Sequence, residues 1–163
     1  MDLILDTSAF LSGRFTSLPT GFDSVFTTPE VIGEVNKGRP ARSMDVLLDA
    51  GLKVIAPSST EGAVESARRT GDLPSLSLAD ISIIALAMEH QAVVITDDFA
   101  IQNVLSSAGI RFEPAGELGA RTISEKRTYT GRCRGCGRYF GTDRIGDDCP
   151  ICGSPIGKAR RRS

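Results

Sequence analysis

The chain lacks several features that would place it in common functional classes. No apolar run reaches the roughly 18 residues of a membrane-spanning helix, so we expect no membrane association. His90 is the single histidine, and it has no second histidine or nucleophilic partner in view, so we interpret it as a surface residue. No glycine-rich phosphate loop is present. The N-terminal residues carry neither a basic region nor a cleavage signature, so we expect a cytoplasmic protein.

Cysteine is absent from the first 132 residues, and the charges are divided at nearly the same place. Residues 1–119 hold 16 of the 20 acidic and 8 of the 19 basic residues, a formal charge of −8. Residues 120–163 carry a formal charge of +7 and all four cysteines. An acidic body joined to a basic segment suggests a protein that holds a polyanion with one part and acts on it with the other.

The cysteines form two pairs, Cys133-x2-Cys136 and Cys149-x2-Cys152, separated by twelve residues. In a reducing compartment such pairs bind zinc rather than form disulfides. Glycine follows each pair, which lets the backbone fold tightly and turn its N–H groups toward the sulfurs. Four thiolates predict a closed structural Zn²⁺ site in a ribbon over residues 131–157, which we expect to be unfolded without the metal. Bound iron and a redox pair are the alternatives.

Strands and helices alternate along the first 119 residues, and hairpin signals are missing. Short apolar runs predict strands at Leu3–Leu5, Lys53–Ala56 and Val93–Thr96. Helical spacing of apolar residues predicts a buried helix that begins at Ser77. This order predicts an α/β domain over residues 1–119 with a parallel sheet.

Basic and aromatic residues are interleaved around the cysteines and continue to the end of the chain. This composition is typical of a single-stranded RNA surface, where guanidinium groups contact phosphates and rings stack on bases. We expect residues 120–130 to be a linker and residues 158–163 to be a disordered basic tail. The alternatives are that Tyr139 and Phe140 fill the small core of the ribbon, which we expect of at least one of them, and that the tail only aids solubility. The candidate RNA-binding residues are Arg132, Arg134, Arg138, Tyr139, Arg144, Lys158, Arg160, Arg161 and Arg162.

Acidic side chains follow two of the predicted strands of the first domain. Asp6 follows the first strand and Asp97-Asp98 follow the strand at residues 93–96, at the edge of a parallel sheet where ligands collect. Glu34 and Asp80 lie in helical segments that flank these strands. Each acid also has an ordinary alternative: Asp6 and Asp97 can cap helices, Asp80 can form a capping box with Ser77, and Glu34 can be a solvated helix position.

Carboxylates that meet in space need a cation. Each close pair repels by roughly 3 kcal/mol at an effective dielectric constant of about 20, and a divalent ion removes this cost. Oxygen ligands select Mg²⁺ or Mn²⁺ over zinc, and such an ion supports phosphodiester cleavage. A negative pocket does not attract RNA by itself, so the basic segment is the expected RNA holder. The candidate ligands are Asp6, Glu34, Asp80, Asp97 and Asp98.

The segments around four of these acids resemble the acidic motifs of PIN-domain ribonucleases. They are LDTSAF at Asp6, PEVIGEV at Glu34, SLADISIIALA at Asp80 and ITDDFAIQNV at Asp98. With the CxxCG…CPxCG ribbon behind them, the whole chain is similar to the Nin-one-binding protein family in its archaeal form. Both domains take part in this resemblance, and their order is more specific than either domain alone.

The resemblance implies a metal-dependent endoribonuclease that matures the 3′ end of small-subunit ribosomal RNA. Its implied partners are the precursor small ribosomal subunit and other ribosome-assembly factors. The implied catalytic and metal-binding quartet is Asp6, Glu34, Asp80 and Asp98. The Thr-x-Asp spacing of the family favours Asp98 over Asp97. Ser8 and Thr96 are expected to donate hydrogen bonds to the site.

Three other functions share parts of this pattern. A toxin-type PIN ribonuclease acting on tRNA or mRNA would share the acidic site, although such toxins usually lack a ribbon. A non-catalytic RNA-binding scaffold would use the acids only as helix caps. A haloacid-dehalogenase-type phosphatase needs an aspartate two residues after the first one, and Ser8 stands there instead, so that class is excluded.

Overall fold

A computed structural model of the protein describes residues 1–36, 41–116, 123 and 127–160. The first part of the chain forms a five-stranded parallel sheet in the order β3-β2-β1-β4-β5, which confirms the predicted α/β domain. Its strands are β1 (Leu3–Leu5), β2 (Val25–Thr27), β3 (Lys53–Val54), β4 (Val93–Ile95) and β5 (Phe112–Glu113). Its helices are α1 (Thr7–Leu11), α2 (Pro29–Val35), α3 (Ala41–Asp49), α4 (Glu61–Thr70), α5 (Leu78–His90) and α6 (Phe99–Ala108).

The two central strands form the floor of the core. Every residue of β1 and β4 is buried, as expected for apolar strands covered on both faces. Helix α5 is buried almost all round and carries Ile83, Ile84 and Leu86 with no exposed surface. Because buried β strands and this helix need continuous apolar sequence, their positions could be predicted closely. The predicted strand at residues 53–56 is shorter, since only Lys53–Val54 pair with β2.

The strand order reverses between β1 and β4, because β2 and β3 lie on one side of β1 whereas β4 and β5 lie on the other. Leu5 pairs with Ile95 at the carboxyl ends of these strands. The backbone N–H of Asp6 continues the pairing by donating to the carbonyl of Ile95 at 3.2 Å. A crevice forms at such a reversal, so the residues that follow β1 and β4 are placed together there.

The cysteine segment forms a three-stranded antiparallel sheet in the order β7-β6-β8. The strands are β6 (Tyr129–Cys133), β7 (Tyr139–Phe140) and β8 (Ile156–Arg160), with a short 3₁₀ turn at Thr142–Arg144. The prediction of a disordered tail from residue 158 was wrong for residues 158–160. These residues belong to β8, where Lys158 pairs with Gly131 and Arg160 with Tyr129. Residues 161–163 lie outside the described part.

The small sheet packs directly on the parallel-sheet domain. A Cβ atom on Gly71, at the end of α4, would lie 2.7 Å from Ile145 and 2.8 Å from Thr142. A Cβ atom on Gly146 would lie 2.9 Å from Pro74. The two glycines therefore permit a close approach that a side chain would prevent. Of the predicted linker, Ile123 donates its backbone N–H to Gln102 Oε1 at 3.0 Å, and residues 120–122 and 124–126 lie outside the described part.

None of the helices within the described ranges is both long enough and apolar enough to span a bilayer.

Candidate active site and four-cysteine site

Asp6 lies at the centre of the acidic site. It is 3% exposed, and it occupies the N-cap position of α1 without making a side-chain cap hydrogen bond. Its Oδ2 accepts hydrogen bonds from Thr96 Oγ1 at 2.8 Å and Ser8 Oγ at 3.0 Å, as expected for both hydroxyls. Its Oδ1 is buried and has no hydrogen-bond partner within the described residues. A buried, unpartnered carboxylate oxygen is costly unless a ligand meets it.

Burial raises the pKa of Asp6 to about 6, against the opposing effect of the hydrogen bonds from Thr96, the Thr7 backbone and Ser8. The nearby charge of Asp80 raises the same pKa further. The hydrogen bonds within the protein therefore do not fully offset the cost of burying the negative charge of Asp6. A cation beside Oδ1 would lower the cost of its charge.

Two hydroxyl groups connect Asp6 to the segment after β4. Thr96 Oγ1 donates to Asp6 and accepts from the backbone N–H of Asp98 at 3.1 Å. Ser8 Oγ likewise donates to Asp6 and accepts from the backbone N–H of Asp97 at 3.1 Å. Because each hydroxyl has one donor and further acceptor capacity, both bonds can form together. The positions of Asp6, Asp97 and Asp98 are therefore coupled.

Asp97 and Asp98 have different surroundings. Asp98 caps α6, since its Oδ1 accepts from the backbone N–H groups of Ala100 at 2.7 Å and Ile101 at 3.0 Å. Asp97 Oδ1 instead accepts from the backbone N–H groups of Ala115 at 2.9 Å and Gly116 at 3.4 Å. The expected helix cap at Asp97 was thus wrong, and Asp98 has that role. Asp98 stays the candidate ligand, since its charge is among those that raise the pKa of Asp80.

Glu34 and Asp80 are joined by a third hydroxyl. Asp80 forms the predicted capping box with Ser77: its Oδ2 accepts from the Ser77 N–H at 2.7 Å. Ser77 Oγ also donates to Glu34 Oε1 at 3.3 Å, and Thr7 Oγ1 donates to Glu34 Oε2 at 2.8 Å. Glu34 is therefore not simply a solvated helix residue. The hydrogen bonds from Thr7 and Ser77 to Glu34 were not predicted. Thr7 is 27 positions from Glu34 in the sequence and Ser77 is 43 positions from it, and nothing in the local sequence relates residues so far apart.

The charges of neighbouring acids raise the pKa values of Asp6 and Asp80. Burial raises the pKa of Asp80, hydrogen bonds from Ser77 oppose this, and the charges of Asp98 and Glu34 raise it again. The cluster is nevertheless open. Within the described ranges, the cysteines alone form a group of three or more metal-ligand atoms lying within 4.8 Å of one another. Among the described residues, no three of the acids bring their oxygens this close together.

The four cysteine sulfurs are gathered as predicted, and their ligand atoms all lie within 4.8 Å. Cys133 and Cys149 are buried, whereas Cys136 and Cys152 face outward. The backbone N–H groups of Gly135 and Cys136 point at Cys133 Sγ at 3.3 and 3.4 Å. The backbone N–H and then the side chain of Ser154 lower the pKa of Cys152 to about 6. These bonds favour a thiolate at Cys152. At Cys136 a backbone hydrogen bond lowers the pKa, but burial and hydrogen bonds with the other cysteines outweigh it and raise the pKa to about 11. The four gathered sulfurs are compatible with a zinc ribbon.

A basic cleft of about 440 Å³ lies beside the cysteines. Arg132, Arg134 and Lys158 line it together with backbone of residues 135–137. The Arg132 guanidinium lies 5.7 Å from the ring centroid of Tyr139, which is 67% exposed and so does not fill the core of the ribbon. Phe140 is the aromatic residue that packs on that core.

Two of the candidate RNA-binding residues form ion pairs within the protein. Arg144 lies 3.1 Å from Asp147 in a half-exposed ion pair. Lys158 forms an ion pair with Asp72, and its ammonium lies 4.1 Å from the centre of the Tyr129 ring. Arg138 and Arg160 are exposed, whereas Arg161 and Arg162 lie outside the described residues.

The comparison with protein families matches residues 3–89 to the PIN domain of ribonuclease. The chain is 33% identical to Endoribonuclease Nob1 of Pyrococcus abyssi, over 99% of this chain and 96% of that protein. It is 36% identical to Ribonuclease VapC1 of Thermoplasma acidophilum, over 96% of this chain and 77% of that protein. A more distant relative is the 20S-pre-rRNA D-site endonuclease of Schizosaccharomyces pombe, 27% identical over 77% of this chain and 32% of that protein.

Among solved structures, a PilT N-terminus domain protein of Sulfolobus solfataricus superposes with a TM-score of 0.52. It is 18% identical and the match covers 77% of this chain and 96% of that one, which supports the fold alone. The family match covers more than half of the chain, and the Nob1 relative matches it over nearly its whole length. The chain therefore belongs to the Nob1 family of PIN-domain endoribonucleases.

Proposed function

We propose that the protein is a divalent-metal-dependent endoribonuclease that cleaves precursor small-subunit ribosomal RNA at its 3′ end. Asp6 carries this proposal, because its buried carboxylate keeps an unpartnered oxygen and is affected by the charge of Asp80, which in turn is affected by the charges of Asp98 and Glu34. The length match to the Pyrococcus relative supports the Nob1 activity. The name of the Schizosaccharomyces pombe relative supports precursor ribosomal RNA as the substrate.

The proposed metal ligands and catalytic residues are Asp6, Glu34, Asp80 and Asp98. Their donor set consists of carboxylate oxygens, which suits Mg²⁺ or Mn²⁺, and Asp6 Oδ1 has the unmet need for a positive charge. When bound, such an ion supplies charge that stabilises the attacked phosphate and lowers the pKa of a bound water. We assign Zn²⁺ to the four cysteines, where it has a structural role.

The protein's own residues orient the acids for this reaction. Thr96 and Ser8 hold Asp6 Oδ2, so that Oδ1 faces the proposed ion. Thr7 and Ser77 hold the two oxygens of Glu34, and the capping box holds Asp80. In the proposed reaction a water oxygen bonds to phosphorus as the bond from phosphorus to O3′ breaks. The 3′ oxygen takes up a proton, which leaves a 3′-hydroxyl and a 5′-phosphate.

The acidic domain repels the RNA backbone, so the basic ribbon is the proposed holder of the strand. Arg132 and Arg134 line the cleft beside the cysteines, and exposed Arg138, Tyr139 and Arg160 extend its surface. Guanidinium groups would contact phosphates, and the Tyr139 ring is available to stack on a base. Ribosome-assembly factors are proposed as further partners.

The toxin-type ribonuclease remains the second candidate, because a relative named VapC1 matches 96% of this chain. Its match reaches residues of the ribbon, so the presence of a ribbon does not separate the two functions. The observation that favours ribosomal RNA is the name of the Schizosaccharomyces pombe relative, which refers to a 20S precursor rRNA.

The test is cleavage of a precursor RNA that spans the 3′ end of the small-subunit RNA, with tRNA and mRNA fragments as competitors and Mn²⁺ present. We expect cleavage of the precursor at that end and crosslinks of the protein to nearby nucleotides. The Asp6→Asn variant should bind the same RNA without cleaving it. Preferred cleavage of tRNA or mRNA would overturn the proposed substrate.

A further inference from the structure

A second cavity lies where the parallel-sheet domain meets the ribbon, apart from the acidic site and the basic cleft. Its volume is about 320 Å³, at the lower end of the range for ligand sites. Helices α4 and α6, strand β6 and the 3₁₀ turn contribute its lining. Two arginines, four serine or threonine residues and one tyrosine line it, and its described lining contains no acid. These residues are Arg69, Thr70, Ser107, Arg127, Thr128, Tyr129 and Thr142.

One face of α6 holds the chain segment that forms this cavity. Phe99, Asn103 and Ser107 follow one another at four-residue intervals and so lie on the same side of the helix. The Asn103 side chain is 1% exposed and bonds both backbone groups of Arg127: its Oδ1 accepts from the N–H at 2.9 Å, and its Nδ2 donates to the carbonyl at 3.3 Å. The backbone of Arg127 is therefore fixed although its side chain is exposed.

The Arg127 side chain points along α6 toward the acidic site. Its guanidinium carbon lies 4.9 Å from the centroid of the Phe99 ring. Phe99 directly follows Asp98, the cap of α6 and a proposed ligand. Ser107 lines the cavity eight residues further along the helix, a distance of about 12 Å at 1.5 Å per residue. A basic path thus leads from the cavity to the end of α6 that carries Asp98.

The side of the cavity away from α6 is formed by the start of β6, the 3₁₀ turn and the end of α4. Thr142 Oγ1 donates to the carbonyl of Tyr129 at 2.8 Å, which fixes the start of β6 against the 3₁₀ turn. Arg69 has a loose ion pair with Glu65 at 3.7 Å, and both side chains are more than half exposed. Such a pair contributes little to stability and can exchange for a better anion. Arg69 and Arg127 are the charged residues of the described lining and both are positive, which favours an anion at this cavity.

We propose that this cavity is a phosphate subsite for the RNA strand, in which Arg69 binds one phosphodiester and Arg127, whose guanidinium lies over Phe99, binds a further phosphate as the strand continues along α6 to the acidic site. Ser107 and Thr128 supply hydroxyl donors to the phosphate oxygens. Charge-assisted hydrogen bonds from guanidinium groups are the strong contacts to phosphate in proteins. This subsite rests on the proposed function, since it takes RNA as the substrate.

The test compares the Arg69→Gln/Arg127→Gln double variant with wild type and with Arg68→Gln. Arg68 is the neighbouring exposed arginine of α4 and does not line the cavity, so it controls for net charge. Binding of single-stranded precursor RNA is measured over a range of salt concentrations without added Mg²⁺ or Mn²⁺, so that no cleavage is needed. The magnitude of the slope of log K against log salt should fall by about 1.4 in the double variant, the value for two lost phosphate contacts on a single strand. The Arg68→Gln slope should stay at the wild-type value.

Equal slopes and affinities for the double variant and Arg68→Gln would overturn the subsite. A second experiment measures the binding of uridine 5′-monophosphate to the wild-type protein and to the double variant. If it binds wild type but not the double variant, while RNA binding is unchanged, the cavity takes free nucleotides and the RNA proposal is wrong. If the wild-type protein binds precursor RNA through both arginines but cleaves only other RNAs, the subsite stands and the proposed ribosomal substrate fails.

Discussion

Lys158, on the last strand of the ribbon, forms an ion pair with Asp72, which is 1% exposed in the parallel-sheet domain. Asn103 donates to the second oxygen of Asp72 at 2.6 Å, and the Tyr129 ring covers the lysine ammonium. The Lys158 side chain is 27% exposed, so the pair is largely removed from water. The ribbon is therefore held to the parallel-sheet domain by an ion pair with the buried Asp72 in addition to the covalent linker.

The first prediction concerns this ion pair. Lys158→Met leaves Asp72 buried beside Asn103 alone, and breaking a buried pair costs several kcal/mol. Because Lys158 retains some exposure, we expect a loss of about 2–3 kcal/mol in the free energy of unfolding, measured by chemical denaturation. Adding Asp72→Asn should restore most of it. Arg160→Met, two residues along the same strand, is the matched control, and an equal loss in that variant would contradict the prediction.

The second prediction separates the two adjacent aspartates. Asp98→Asn should lower RNA cleavage at least about 100-fold, the scale of losing one electrostatic group from an active site, with RNA binding largely retained. Asp97→Asn should retain most cleavage, because an amide oxygen can still accept from the N–H groups of Ala115 and Gly116. Single-turnover cleavage rates with Mn²⁺ measure both. A larger loss in Asp97→Asn than in Asp98→Asn would reverse the assignment.

The third prediction is a pH dependence of stability caused by Asp6. Its pKa rises from 3.8 to about 6 on folding, so between these values the folded state holds a proton that the unfolded state has released. The free energy of unfolding therefore falls as pH rises through this window and is constant above it. Two pKa units correspond to about 3 kcal/mol, an upper value for this group.

Asp6→Asn removes this titration. In metal-free buffer, the variant should gain up to about 3 kcal/mol relative to wild type when the pH rises from about 4 to about 7, measured by denaturation at each pH. Added Mn²⁺ should stabilise wild type at neutral pH and have a much smaller effect on the variant. A constant difference between the two proteins over this pH range would argue against a raised pKa at Asp6.

The fourth prediction concerns the cysteines. Native mass spectrometry should find one Zn²⁺ per chain, and a strong chelator should unfold the ribbon, since so small a sheet depends on its metal. Hydrogen exchange should then show loss of protection at residues 129–160, including the bond from the Cys133 N–H to the Arg138 carbonyl. Strands β1 and β4 should stay protected. Persistent protection of the ribbon after zinc removal would contradict a metal-dependent fold.

Local patterns determined most of the architecture. The apolar runs of β1 and β4, the buried helix α5 and the cysteine spacing are each properties of a few consecutive residues, and all four were placed correctly. The position of Asp6 and Asp98 after two strands also follows from the sequence, because the carboxyl ends of parallel strands share an edge. The hydroxyls of Ser8 and Thr96, which bond Asp6, were expected from the resemblance to PIN-domain ribonucleases.

Tertiary structure alone decided how these pieces bond to one another. The contact of Asp97 with residues 115–116 depends on where the chain turns after β5, and the bonds from Thr7 and Ser77 to Glu34 depend on how α1, α2 and α5 meet. The local sequence placed Lys158 in a free tail, but its partner is Asp72, 86 residues away. Such contacts arise between segments whose local sequences are independent, so the side chains acquire these roles only when the fold brings them together.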